Sequence, residues 1–295
     1  MQKQKRVLAV NDISCVGRCS LTVALPILSA VGFETSVLPT ALLSAHTGFE
    51  DYTFFDLTDQ MVPSAERMIR SGRSYQGICT GYLGSFRQLQ QVSRLIDSLK
   101  NDDCLVMVDP VMADNGEYYA LFDAEYARGM ASLCGKANII TPNATEAMFL
   151  LGLPYTPPPY TDAQMTEWLT ALSRLGPSQV VITGLVNEKG NLVNAHYDRK
   201  TDDLQFLCGE KIEGYYPGSG DVFCSALFAA LLSGICLDRA VYLAHATTHC
   251  SILRTLRFCD DPMYGLDFEG GIPEFINKIN RWTDPNGRGE RKIHF

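Results

Sequence analysis

The chain has 295 residues, 46% of them hydrophobic and 20% charged, with a formal net charge of −8. That length and balance fit a soluble globular protein able to bury a large core. The acidic charge argues against nucleic acid or an anionic membrane surface as the main partner, but not against a small anionic ligand met by local backbone donors.

Taken in order, short apolar runs alternate with helical stretches. Residues 6–10 (Arg6-Val7-Leu8-Ala9-Val10) read as a buried parallel strand. Asn11 to Ser14 are expected to end that strand, with Gly17 giving a turn. A helix follows over 20–31, then a strand within 33–39. The polar-tipped segment Leu43-Ser44-Ala45-His46-Thr47-Gly48 leads to a helix over 58–71. A strand at 75–80 ends in Gly81-Tyr82-Leu83-Gly84-Ser85, and a helix runs from about 86 to 100. The clearest strand, 104–108, ends at Asp109-Pro110. Beyond it come a helix near 124–134, a short strand at 138–140, Thr141-Pro142-Asn143, and a helix over 144–151. The proline-rich 155–160 must be a loop. A helix at 162–175 and a strand at 179–182, ending in Thr183-Gly184, precede a hairpin of 192–197 and 204–207 about a polar turn. Pro217-Gly218-Ser219-Gly220-Asp221 then opens a very apolar stretch, 224–237, read as a buried helix because it is too short and too interrupted for a bilayer span. Helices over 237–255 and 272–282 complete the pattern, with 284–295 expected to be a loose tail. Strands alternating with helices predict a single-domain, three-layer α/β/α sandwich about a mostly parallel central sheet, spanning 1–283.

In such sheets ligands bind beyond the carboxyl ends of the strands. The polar residues there are Asn11, Asp12, His46, Thr47, Tyr82, Asp109, Asn143, Thr183 and Asp221. Each admits two readings. Gly218, Ser219 and Gly220 could let backbone N–H groups converge on an anion at a helix start, with Asp221 as a base, or Asp221 could merely cap that helix. Asp109 could hold a divalent cation or be a strand-end turn residue. Asn143 and Glu146 share a helix face and could reach a metal and nucleotide phosphates, or could form a capping box. His46 and Thr47 could hydrogen-bond a heterocycle, or His46 could be a satisfied, partly buried histidine. Asp12 could meet a polar substrate edge or make an Asx turn. Tyr82 could stack on a flat ligand or pack in the core. Lysine and arginine are scarce near the glycine loop, so backbone donors and a metal are expected to meet phosphate charge.

Ten cysteines are scattered without CxxC pairs. Cys104, Cys224 and Cys236 read as small core residues. Residues 1–6 are polar and the apolar run 7–10 is too short for a signal peptide, so reduced thiols in a cytoplasm are expected.

Five segments in order carry a resemblance: Ser44-Ala45-His46-Thr47-Gly48, Thr80-Gly81-Tyr82-Leu83-Gly84-Ser85, Val108-Asp109-Pro110-Val111-Met112, Thr141-Pro142-Asn143-Ala144-Thr145-Glu146 and Gly218-Ser219-Gly220-Asp221. Together they resemble the pyridoxal/pyridoxamine kinases of the ribokinase-like superfamily, over about residues 6–282. The resemblance implies transfer of the γ-phosphate of ATP to the hydroxymethyl oxygen of a vitamin B6 vitamer. It gives Asp221 the role of base, and Gly218 to Gly220 that of anion hole. Asp109, Asn143 and Glu146 would form the Mg²⁺–phosphate network, with Asp109 and Glu146 at the metal. Asp12, Thr47 and Tyr82 match pyridine-ring positions, and Thr183 approaches the nucleotide. A monovalent cation such as K⁺ and a homodimer are implied as well. Three departures stand out: Asp12 where many pyridoxal kinases have serine, Ala113 for a glycine, and Ser219 for a threonine. An acid at Asp12 could favour a protonated pyridine nitrogen or an amine-bearing vitamer. Two alternatives remain, a hydroxymethylpyrimidine kinase and a non-catalytic vitamer- or nucleotide-binding protein on the same scaffold.

Overall fold

The first apolar run becomes β1 (Arg6–Ser14), whose alternate residues feed two separate cores. Val7 and Ala9 face one side of the sheet, Leu8 and Val10 the other, and all four are buried. The computed structural model describes residues 4–284; the expected tail beyond Asp284 lies outside the described residues. On either side of β1 lie β2 (Glu34–Leu43) and β4 (Gly77–Thr80), both parallel to it. The parallel run continues through β5 (Leu105–Val108), β8 (Ile139–Ile140) and β9 (Gln179–Val186). Antiparallel β10 (Leu192–Asp198) and β11 (Asp203–Gly209) extend one edge, and β3 (Phe54–Asp56) closes the other. The resulting nine-stranded order is β11-β10-β9-β8-β5-β4-β1-β2-β3.

One face is covered by α2 (Thr58–Arg70), α3 (Phe86–Leu99), α4 (Ala124–Cys134), α5 (Ala144–Leu150) and α6 (Asp162–Ser173). The other carries α1 (Leu21–Ala30), α7 (Ser219–Leu232), α8 (Leu237–Phe258) and α9 (Ile272–Thr283). This is the expected three-layer architecture. Central α7 is apolar around nearly its whole circumference, with Val222 through Ala230 all buried, because it lies between the sheet and both α1 and α8. It approaches so closely that a Cβ on Gly77 would sit 2.7 Å from Phe228.

The structure corrects several expectations. β1 does not stop at Val10: it continues through Ser14 because β2 also runs on, to Leu43, and a register shift between Asn11 and Ile13 lets the pairing resume. The edge strand β3 and a two-stranded hairpin of β6 (Ala113–Asp114) and β7 (Glu117–Tyr118) are three and two residues long, too short for a periodic pattern to announce them. The stretch 224–237 is not one helix. Gly234, at φ +92°, breaks it between α7 and α8. Cys236 is exposed at that break rather than in the core, whereas Cys104 and Cys224 are buried. No helix among the described residues is long and apolar enough to cross a membrane.

Candidate active site

A cleft of about 460 Å³ opens over the carboxyl ends of the parallel strands. It is lined by Tyr82, Asp109, Asn143, Glu146, Thr183, Gly218, Ser219, Gly220 and Asp221, so one site gathers nine of the residues picked from sequence. They come from five separate segments of chain, four of them brought level by the sheet and the fifth by the start of α7.

The glycine loop forms the start of α7. Gly218 is the N-cap, at φ +79° and ψ 1°, a conformation open to glycine at little cost. A Cβ there would stand 2.1 Å from the Arg18 carbonyl oxygen, so the loop also needs glycine for space. Asp221 is therefore the third residue of the helix and not its cap. Tyr216 O takes the Ser219 N–H at 3.2 Å, but the N–H groups of Gly218, Gly220 and Asp221 meet no protein acceptor among the described residues. No side chain caps the helix. Three open donors and the positive end of a helix dipole make an anion site. A Cβ on Gly220 would meet nothing within 4 Å, and Gly220 lines the cleft, so its missing side chain leaves room for a ligand.

The Asp221 carboxylate is anchored from two sides. Asn11 Nδ2 donates to its Oδ1 at 3.4 Å, and the Ser20 backbone N–H donates to the carboxylate as well. Asn11, in phase with Val7 and Ala9, is fixed in turn by the N–H groups of Tyr82 (2.7 Å) and Asp12 (3.0 Å) on its Oδ1. Gly81 allows this: a Cβ there would collide with the Asn11 amide at 2.3 Å. Burial and the charge of Asp12 push Asp221 up to about 6, against the pull of the Ser20 N–H and the Asn11 amide. A carboxylate poised there suits proton abstraction near neutral pH.

Asp109, at the end of β5, accepts from Thr141 Oγ1 at 3.2 Å, and Cys224 Sγ donates to the same threonine hydroxyl at 3.3 Å. Burial and the nearby Asp221 charge push Asp109 up to about 7. Glu146 is raised well above the usual carboxylate range, by burial first and then by Asp109. Here the capping-box reading is realised: Asn143 Oδ1 accepts from Glu146 N, and Glu146 Oε2 from Asn143 N, both at 2.9 Å. Glu146 Oε1 accepts from Met112 N at 3.0 Å, and Asn143 Nδ2 donates to Ala113 O at 2.8 Å. Asp109 is crowded by the charge of Asp221 and in turn raises Glu146, and acids placed so at one cleft wall fit a cation, which would bring them back toward their charged forms. No three acid, histidine or cysteine side chains among the described residues converge on one ion, so such a cation would keep waters or ligand oxygens.

Asp12, His46 and Thr47 fall outside the cleft lining. His46 is a satisfied histidine: Gly48 N donates to Nδ1 at 3.1 Å, and Nε2 bonds Met263 O at 2.6 Å. Its ring fills the space left by Gly17 and Gly48. Thr47 is exposed on the following turn. Asp12 is buried just behind the cleft, hydrogen-bonded by Ser20 and Ser14, and burial raises its pKa. Sequence reasoning passed over Lys211, a cation lining the cleft that pairs with Glu213 at 2.8 Å, and the neighbouring His245 and His249. Nothing in their local sequence marks them, since only the packing of α8 against β10 and the chain after β11 brings them to the cleft.

Comparison with known proteins adds the family. The family model described as phosphomethylpyrimidine kinase matches residues 28–261. A Bacteroides thetaiotaomicron protein provisionally described as a phosphomethylpyrimidine kinase, in a crystal form with pyridoxal, superposes with a TM-score of 0.88 at 36% identity, covering 94% of this chain and 96% of that one. A pyridoxine/pyridoxal/pyridoxamine kinase of Bordetella avium is 29% identical over 252 residues, 80% of each chain. A pyridoxal kinase of Arabidopsis thaliana is 27% identical over 265 residues, 85% of this chain and 82% of that one. The chain belongs to the phosphomethylpyrimidine kinase family and is similar to pyridoxal kinases.

Proposed function

We propose that this protein transfers the γ-phosphoryl group of ATP to the 5′-hydroxymethyl oxygen of a vitamin B6 vitamer. The observation that carries the reading is the start of α7, where an acid able to take a proton stands beside backbone donors that no protein group claims. Asp221 takes the proton of the substrate hydroxyl. The freed oxygen bonds the γ-phosphorus, the bond to the β–γ bridging oxygen breaks, and ADP leaves. The N–H groups of Gly218, Gly220 and Asp221 receive charge on the transferring phosphoryl group, in a geometry set before the reaction. Ser219 contributes backbone, not its hydroxyl. Asn11 and Ser20 keep the Asp221 carboxylate aimed.

Tyr82 supplies a flat face for the substrate ring, supported by its place in the lining and its packing against Phe122 at 5.6 Å between centroids. Asp12 acts through Ser20 and Ser14 from behind. His46 and Thr47 serve the substrate end indirectly, by shaping the turn after β2. Thr183, within β9 where it passes the cleft, and Asn143 approach the nucleotide. Asp109 and Glu146 would hold Mg²⁺ with ATP, and the cation would neutralise phosphate charge there. The Asp109 carboxylate and the Thr141 hydroxyl are oxygen donors of the kind K⁺ takes. One kinase domain spans 1–283. A homodimer is supported by the exposed aromatic edge at β3, where Phe55 is 64% accessible. The cytoplasm is supported by ten free cysteines.

The test is ATP- and Mg²⁺-dependent turnover of pyridoxal, pyridoxamine, pyridoxine and hydroxymethylpyrimidine. Phosphorylation of a B6 vitamer with kcat/KM above that for hydroxymethylpyrimidine is expected. The reverse order would make the protein a pyrimidine kinase, and binding without turnover would make it a non-catalytic binder.

A further inference from the structure

Burial alone makes Cys224 a small core residue, since only 7% of it is exposed. Its thiol nevertheless lines the cleft and meets polar groups there. Cys224 stands three residues beyond Asp221, so both project from one face of α7. The Cys224 Sγ donates to Thr141 Oγ1 at 3.3 Å, and Thr141 Oγ1 donates to Asp109 Oδ1 at 3.2 Å. The thiol also lies close to the Asp109 carboxyl itself. Burial, and then the charge of Asp109, raise the Cys224 pKa well above the usual thiol range, so the group keeps the proton it donates.

This short chain of hydrogen bonds joins three segments: the end of β5 at Asp109, the residue after β8 at Thr141, and α7. Thr141 is 2% exposed, and its hydroxyl cannot turn without losing the thiol or the carboxyl. Packing does not immobilise the acid in the same way. A cavity of about 20 Å³ borders Asp109, Asp221 and Cys224, which leaves the Asp109 carboxyl room to rotate. The hydrogen bonds therefore fix what the packing leaves loose. Because Asp221 and Cys224 share a helix face, they also set how far the base stands from Asp109.

We propose that Cys224 is a positioning residue whose thiol, with Thr141, orients the Asp109 carboxyl toward the cation that accompanies ATP and fixes its separation from Asp221. The inference rests on the kinase reading, which puts the cation at Asp109, and goes beyond it by naming the group that aims that acid. The test compares wild type with Cys224→Ala and Cys224→Ser. The two replacements have nearly equal volume and differ by a hydroxyl donor. Packing losses are thus shared, and the difference between the variants reads the hydrogen bond. Binding of Mn²⁺, standing in for Mg²⁺, is measured by electron paramagnetic resonance without nucleotide. The Mg²⁺ concentration for half-maximal rate is measured beside it. Cys224→Ala is expected to bind Mn²⁺ about three- to tenfold more weakly, the worth of one hydrogen bond, and to need correspondingly more Mg²⁺. Cys224→Ser should recover most of that loss. Equal Mn²⁺ affinity in wild type and Cys224→Ala, or a serine variant no better than the alanine one, would overturn the proposal and leave the kinase reading standing. Failure of wild type to bind Mn²⁺ would overturn it as well. Absence of turnover by wild type on every vitamer would end the kinase reading, while the Mn²⁺ affinities would still judge the role of the thiol.

Discussion

Two helix N-termini face the same cleft and are finished in opposite ways. At α5, Asn143 and Glu146 close a complete capping box, and Glu146 takes a further N–H from Met112. At α7 no side chain caps the helix, the cap is a left-handed glycine, and three N–H groups stay open. The first end is satisfied by its own chain and contributes a buried carboxyl group. The second is left for a ligand. Both began as a polar residue before an apolar helical run, and the difference shows why such a signal does not separate structural from functional ends. What separates them is whether the donors already have partners.

The largest effect should come from the open end. Asp221→Asn keeps the size of the side chain and an oxygen for the Ser20 N–H but removes the base. Its kcat should fall by about 10²–10⁴-fold, with nucleotide affinity by calorimetry nearly unchanged. A variant with near-normal kcat would end the general-base role.

The two glycines of the loop sharpen the contrast. Gly218→Ala should destabilise the protein by roughly 3 kcal/mol or more, through the positive φ and the clash with the Arg18 carbonyl. Gly220→Ala should leave the melting temperature nearly intact, since its Cβ meets no protein atom, yet cost about tenfold or more in kcat/KM for ATP. Equal behaviour of the two variants in melting and kinetics would break the picture of an open cradle.

At the closed end, Glu146→Gln puts an amide NH₂ where the carboxylate accepts two backbone N–H bonds. It should cost about 1–3 kcal/mol in denaturant unfolding and raise the divalent cation concentration needed for half-maximal rate. Unaltered metal dependence would reduce Glu146 to a cap.

A third N-terminus gives the smallest effect. α8 also lacks a side-chain cap, but Asp238 of its first turn lies 3.8 Å from the buried His196. Burial lowers the His196 pKa below its usual 6.5 and outweighs Asp238, which raises it. Between those two pKa values the unfolded chain binds a proton that the folded one refuses, so stability rises with pH across that window and is lost as pH falls through it. The melting temperature should therefore drop on acidification below about pH 6.5, and drop less in His196→Leu. Equal drops would assign the acid sensitivity elsewhere.

The strand-end acids were legible early because a parallel sheet presents each strand's last residue on one rim, whatever the rest of the chain does. Asp109, Asn143 and Thr183 follow apolar runs and reached the cleft, as did Asp221, which instead precedes one at the start of α7. His46 did not. Its partner is the carbonyl of Met263, 217 residues away, and no local pattern encodes that bond. Lys211 and the histidines of α8 were missed for the same reason.

By itself, then, the sequence determined the alternation of buried strands and helices, the layered sheet that follows from it, and the rim of polar residues where chemistry could occur. These depend on local periodicity and on which residues must leave water. Tertiary structure alone decided which polar groups are already satisfied: the capping box at Glu146, the open donors at α7 and the pinned ring of His46. Whether a buried donor has a partner depends on chain brought from far along the sequence, and at this cleft that separates the residues that hold the fold from those left free to meet a ligand.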